Sequence, residues 1–391
     1  MSRRWISCAK IPRTIMSQSP QRLLPVYAAA TALGAAAAMA APAERWLPAA
    51  LWHLVFGVGA LPMILAAMGY FVPVLTRSGE APRLLAAAPL AAIAAGLGIV
   101  GFFLHGTPAL RLHAPWLALA AVAGFAFWLA RRWRGCLGQP NPCLAWYAAA
   151  LGMLALGLLA VALSPWSEQP DALRRFHLHI NTLGFMGLTA LGTLQVLLPT
   201  VAGRPDPEAP LRLRRDLKWS AGGALALALG AALSPALALA GAAAYALPVL
   251  RLAAAAWKAW RPAILGAGST IPLLFSSLLG LLLVLAHGAF HAGGHAEGRP
   301  AIVLFVVGFL LPLVSGAAGH LLPVWLRPGL QDDWHRKTRA FLARGARQRA
   351  LLFPGAALLA AAGLAPSYGL AALGALWLIA SMLRVALTRR G

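Results

Sequence analysis

The sequence predicts an all-α, polytopic membrane protein of about 12 transmembrane helices, in three pseudo-repeated four-helix units with both termini cytoplasmic. Three observations carry that expectation. Of 391 residues, 60% are hydrophobic and 11% charged, with a mean hydropathy of +0.73, a balance foreign to soluble domains. Apolar runs of membrane-spanning length alternate with short Arg-rich connections. Three of the long runs also share a frame of glycines and a terminal proline.

In chain order, Met1 to Arg22 carries five basic residues and no acidic one, and reads as a basic cytoplasmic segment; residues 23–391 read as a single transmembrane domain. Met16 offers an alternative start. The first apolar run, Leu24–Pro42, ends in Ala38-Met39-Ala40, which resembles a signal-peptidase site. It is expected to be retained, because the first four-helix unit is incomplete without it. The later runs are Leu47–Leu75, Leu84–Leu104, Ala114–Ala130, Leu144–Leu163, Phe176–Val201, Trp219–Leu233, Leu237–Leu250, Thr270–Phe290, Ala301–Leu326, Leu351–Leu364 and Leu370–Leu387. The two that meet at Ser234-Pro235 are short for a bilayer span.

Charge placement fits this layout. With the N-terminus inside, 28 of the 33 Lys and Arg residues fall on cytoplasmic segments, leaving Arg45, Arg111, Arg174, Arg175 and Arg299 outside. The net charge of +23 therefore reads as topology set against anionic headgroups, with the lipid bilayer as partner and no nucleic acid. Cys8, Cys136 and Cys143 fit neither a disulfide framework nor a usual zinc spacing, and read as reduced, idle thiols.

Aligned on their terminal prolines, the run GFLLPLVSGAAGHLLP ending at Pro323 and the run GFMGLTALGTLQVLLP ending at Pro199 match without gaps. The shared positions are Gly308-Phe309, Gly316 and Leu321-Leu322-Pro323 against Gly184-Phe185, Gly192 and Leu197-Leu198-Pro199. The run ending at Pro73 shares an inner proline, Pro62, with Pro312. The terminal prolines stand 126 and 124 residues apart, which divides the chain into units of approximately 23–134, 143–261 and 268–391. Small-residue spacing for close helix packing is the plainer explanation of the glycines; the common Gly-Phe, Gly and Leu-Leu-Pro frame favours a repeat.

Counting twenty residues back from each terminal proline lands on His53, His179 and Val303. The third unit instead has His287, His291 and His295 spaced by four, with Gly293-Gly294 expected to break the helix before His295. Eight of ten histidines fall on the outer side, with His320 and His335 toward the cytoplasm. His105, His113, His295 and His335 read as solvated loop residues and His320 as interfacial. An imidazole within the membrane needs a ligand, a hydrogen bond or water, and neutral imidazole ligates haem and suits copper. His53, His177, His179, His287 and His291 are the candidate cofactor-binding residues, with His53, His179, His287 and His291 the candidate metal ligands. Interhelical hydrogen bonding or a substrate path is the competing role for them. His179 is singled out as the partner of His53 within the repeat, whereas His177, two residues away, points in another direction.

All ten acidic residues, Glu44, Glu80, Glu168, Asp171, Asp206, Glu208, Asp216, Glu297, Asp332 and Asp333, are expected in connections, so no intramembrane carboxylate is available for ion-coupled transport. Asn181, Thr182, Thr189, Thr193, Gln195, Ser269, Thr270, Ser276, Ser277 and Ser315 are expected to serve packing or to hydrogen-bond around a site. No phosphate loop, nucleophile elbow or HExxH occurs.

Three four-helix units with histidines entering the outer leaflet resemble the haem–copper oxidase subunit I superfamily. Within it, Trp52-His53 followed by Phe56-Gly57 is similar to the NnrS-type haem–copper membrane proteins, and HLHINTLGF from His177 to Phe185 looks like a stretch of oxidase-like membrane proteins. The resemblance implies a multi-pass protein of the bacterial cytoplasmic (inner) membrane, linked to nitric oxide, denitrification or respiratory redox metabolism. It implies haem b and admits copper, with a periplasmic electron donor or a small gas ligand such as nitric oxide as partner. The chain departs from the oxidases in lacking a His-Pro-Glu-x-Tyr or His-His copper motif, and Leu54 and Val55 stand where NnrS proteins carry an acidic residue and Met. Oxygen reduction and proton pumping are therefore not expected, and no catalytic residue is assigned. A transporter or assembly factor for metal or haem, and a non-catalytic structural membrane subunit, are the alternative functions.

Overall fold

The computed structural model describes residues 23–40, 48–364 and 366–388. The basic segment Met1–Arg22 lies outside them. The described residues are helical, with no strand among them. Nine helices there are long and apolar enough to cross a membrane, from Ala49–Leu75 to Ser367–Leu387. The remaining three expected runs are also helical: α1 (Leu24–Ala40) has 17 residues, α15 (Ala346–Ala361) has 16, and α9 (Ala209–Leu233) carries charges in its first turns. Length and composition thus carry nine spans among the described residues and not the full twelve.

Two of the expected short runs are longer than their apolar stretches. The helix break at Ser234 is where the sequence places it, with Ser234 extended (φ −159°, ψ 118°) and Pro235 opening α10. On either side, however, α9 begins at Ala209 and α10 runs for 31 residues to Leu265. The added turns are charged, and ion pairs between the two helices allow them to remain helical. Asp216, expected in a connection, lies within α9 and is buried at 1% exposure. Its carboxylate accepts from Arg215 at 2.8 and 3.1 Å and from Arg251 of α10 at 3.0 Å. Asp171 and Asp333 also prove helical, in the first turns of α7 (Pro170–His179) and α14 (Asp333–Leu342).

Three long helices are interrupted by a π-helical turn. Short α2 (Pro48–His53) passes into π1 (Leu54–Ala60) and then α3 (Leu61–Leu75). Next come α4 (Ala87–His105), α5 (Pro108–Arg134) and α6 (Cys143–Leu163), after which α7 passes into π2 (Ile180–Gly187) and α8 (Leu188–Ala202). Beyond α11 (Ile271–Ala292), α12 (Arg299–Val303) passes into π3 (Leu304–Leu310) and α13 (Leu311–Leu326). The π turns begin at residues 54, 180 and 304, at the same spacing as the terminal prolines, and each begins one residue after His53, His179 or Val303.

Local chemistry accounts for the widening. Pro62 and Pro312 follow π1 and π3 and supply no N–H to the preceding turn. The second segment has no such proline; there the Tyr245 hydroxyl donates to Leu183 O at 2.9 Å and Thr189 donates to Phe185 O at 2.8 Å. Close approach of backbones holds the turns in place. A Cβ on Gly280 of α11 would run into the carbonyl of Gly308 in π3, and one on Gly96 of α4 would stand 2.7 Å from the Gly57 carbonyl carbon in π1. The buried side chains of all these helices form one continuous core that includes Phe185, Phe309, Trp146 and Phe353.

Candidate functional site

The histidines sit where helices change winding. His53 ends α2 and His179 ends α7, each immediately before a π turn. They hold the same local arrangement: His53 Nδ1–H donates to Ala49 O at 2.7 Å, and His179 Nδ1–H donates to Arg175 O at 2.8 Å. In both, the acceptor is the carbonyl four residues earlier on the same helix. Since a carbonyl only accepts, Nδ1 carries the hydrogen and Nε2 keeps the lone pair. His177 reaches the same tautomer across helices, donating from Nδ1 to Gly157 O of α6 at 2.9 Å.

The structure pairs these residues differently from the repeat. His53 faces His177, with ring centroids 6.5 Å apart and planes 15° from parallel; His179, its counterpart in the alignment, is turned elsewhere. On a helix, two residues apart means opposite sides, and the position facing unit one is 177. Phe103 of α4 flanks His53, centroids 5.3 Å apart. His287 and His291 end α11 and fasten the following loop, through His287 Nε2–H to Glu297 O and His291 Nδ1–H to Ala296 O, both at 2.9 Å. His287 therefore has its Nε2 committed to the loop, unlike the other four. Gly293 caps α11 and Gly294 has φ +77°, the expected break before His295.

Among the described residues, no three or more His, Cys, Asp or Glu side chains gather closely enough to hold one metal ion. Of the five histidines, the structure brings the rings of His53 and His177 together. The His53–His177 pair fits a metal-bound role on the chemistry of its donors. Each ring has its N–H anchored to a backbone carbonyl, the arrangement that orients a ligating imidazole and raises its basicity.

The family model described as NnrS protein matches residues 4–205, a stretch that holds His53, His177 and His179 and closes just after Pro199. The chain belongs to the NnrS family. No curated protein matches it. The NnrS match includes the His53–His177 pair and stops before His287 and His291, so the ring pair lies wholly within the part of the chain that carries the family pattern.

Two further assignments change with the structure. His335, expected to be solvated, is buried at 2% exposure as the third residue of α14. It stands 2.7 Å from Asp332 Oδ1 through Nδ1 and donates from Nε2 to Arg327 O at 2.8 Å. Asp332 also accepts from the His335 backbone N–H and closes a capping box, and its hydrogen bonds with the His335 side chain first, and with that N–H, hold its carboxyl below the usual carboxylate range. Arg349, which sequence reasoning passed over, is buried at 1% exposure and donates to Ser315 Oγ of α13 and to the Leu342 carbonyl at the end of α14. A pattern search misses Arg349, because its partners are a backbone carbonyl and a serine that only the tertiary packing supplies, whereas the Asp332–His335 spacing is a local capping signal that sequence reasoning did not use.

Proposed function

We propose that the chain is a multi-pass inner-membrane haem-binding protein of the haem–copper oxidase-like type, linked to nitric oxide or respiratory redox metabolism. The observation that carries this reading is the His53–His177 ring pair, with both N–H groups anchored on carbonyls and both Nε2 atoms free of a carbonyl. NnrS membership of the region that contains the pair supports it. His53 and His177 would hold the haem, leaving the Nε2 atoms of His179 and His291, which bond no carbonyl, for a second metal such as copper. When bound, a haem would supply one-electron redox chemistry.

The chain's own contributions are local. Ala49 and Gly157 carbonyls fix the tautomer and direction of the two rings, and Phe103 packs on His53. By the charge count the pair lies toward the outer face, within reach of a periplasmic electron donor. Purified protein is expected to show a Soret band that shifts on dithionite reduction and is lost in His53→Ala and His177→Ala. A folded, colourless and metal-free wild-type preparation would overturn the reading. Flux of metal or haem that depends on these histidines, without stoichiometric binding, would favour a transporter or assembly factor.

A further inference from the structure

After Asp333 the chain runs to Gly391 with nine Lys and Arg residues and no acidic side chain. Asp332 and Asp333 themselves are taken up by His335 and Arg336. The corner built from α14, α15 and α16 (Pro366–Leu387) therefore has no carboxylate left to set against its other arginines. Two of them meet on one ring. Arg344, just past the end of α14, and Arg384, in the last turn of α16, place their guanidinium carbons 5.7 and 5.1 Å from the centroid of Phe341. Both residues are exposed, and among the described residues neither guanidinium has an ion-pair or hydrogen-bond partner. Two cations gathered at one ring repel each other, and an anion within reach of both relieves them. They stand no farther apart than those two distances laid end to end, close enough for one lipid headgroup to touch both.

The backbone beneath Arg344 is held in place. Arg349, buried in α15, donates to the carbonyls of Leu342 and Arg344 at 2.8 and 3.4 Å. Gly345 turns the chain into α15 at φ +69°, and a Cβ there would run into the Trp377 ring, so the turn is seated directly on α16. Fixing the backbone lowers the ordering cost of a ligand that takes hold of the side chain. The apolar half of the corner comes from α16. Leu373, Leu376, Trp377, Ala380 and Arg384 recur at helical spacing and are all exposed, so four apolar positions lead along one face of a membrane-spanning helix to a guanidinium at its last turn. An anion that carries a hydrocarbon tail matches both parts of this surface. Free phosphate matches only the second.

We propose that Arg344, Phe341 and Arg384 form a binding site for an anionic phospholipid of the cytoplasmic leaflet. The headgroup phosphate lies on the two guanidiniums, whose forked N–H groups suit its oxygens, and an acyl chain follows the exposed face of α16. Such a site differs from the general attraction of a basic face to anionic lipid, because it depends on which arginines are present and not on how many. It stands apart from the histidines and from the haem reading.

The test titrates full-length, delipidated protein in detergent with phosphatidylglycerol and counts bound lipid by native mass spectrometry. Phosphatidylcholine with the same acyl chains and inorganic phosphate serve as competitors. Wild type is expected to take up one phosphatidylglycerol ahead of any others. Arg344→Gln with Arg384→Gln is expected to weaken that first site by roughly 10- to 30-fold. The control, Arg134→Gln with Arg214→Gln, removes two exposed arginines elsewhere on the face that the charge count assigns to the cytoplasm, and is expected to leave it unchanged. Thermal midpoints in lipid-free detergent show whether the variants fold; should the double variant be unstable, each single change is expected to weaken the site by about fivefold. Equal weakening in the two double variants would reduce the effect to net charge and overturn the proposal. Equal affinity for phosphatidylcholine, or displacement by inorganic phosphate at the same concentration, would overturn it as well.

Discussion

The imidazoles of His53 and His177 face one another at 6.5 Å although they belong to different repeat positions, and His179, which does align with His53, is turned away. The two histidines of the second segment therefore have separable roles. His177→Ala is expected to reduce bound haem about tenfold or more, as is His53→Ala, whereas His105, exposed at the end of α4, is expected to be replaceable by Ala without loss. Absorbance at the Soret band and metal analysis per mole of protein check this. Retention of full haem content in His177→Ala would break the pairing.

Tyr245 ties α10 to the second π turn by donating to Leu183 O at 2.9 Å, and Gly187 gives its hydroxyl room, because a Cβ at 187 would run into Tyr245 Oη. Tyr245→Phe is expected to cost about 1–3 kcal/mol through the stranded carbonyl. Gly187→Ala should be worse in the wild type than in the Tyr245→Phe background, where the clashing oxygen is gone. A double-mutant cycle by thermal unfolding in detergent measures the coupling, and purely additive effects would refute the contact.

Much of this architecture was legible in the chain. Hydropathy and Arg placement locate helices closely, as at α3, α8 and α13, and the histidine count lands one residue before each π turn. Ser234-Pro235 marks its own break, because the proline opens a helix and the serine turns extended. What remained hidden depends on partners distant in sequence. Asp216 reads as a loop residue until Arg251, 35 positions away, meets it across the α9–α10 hairpin. The choice of His177 over His179 follows from which side of α7 meets α6 and His53, and spacing within the segment does not record it.

The α14 capping box should respond to acid. Asp332 is held below the usual carboxylate range by its hydrogen bonds from His335, so its folded-state pKa is depressed. Its contribution is therefore complete above the ordinary carboxylate pKa and disappears as pH falls through the lower folded value. Amide exchange within Asp333–Leu342, corrected for intrinsic rate, is expected to accelerate over that acidic window. Asp332→Ala should exchange fast throughout and lose the pH dependence; a variant that keeps it would place the titrating group elsewhere.

Asp216 offers the sharpest test of how charged turns are held in the hairpin. Its side chain is 2% exposed, and the partners Arg215 and Arg251 are 47% and 36% exposed. A buried carboxylate with two guanidinium partners is stabilised chiefly by not being left alone, so the two sides of the interaction should respond unequally. Arg251→Met leaves the Arg215 pair intact and exposes no new buried charge, and is expected to cost about 1 kcal/mol or less. Asp216→Asn removes the charge that both arginines converge on, yet each arginine keeps contact with water, so the expected loss is about 1–3 kcal/mol rather than that of a fully buried broken pair. Removing both arginines while keeping Asp216 should exceed either, because the carboxylate has no water to turn to. The order of midpoints in thermal unfolding decides the point: if the arginine pair variant is no less stable than Asp216→Asn, burial of the carboxylate is not what makes the helix extension depend on its partners.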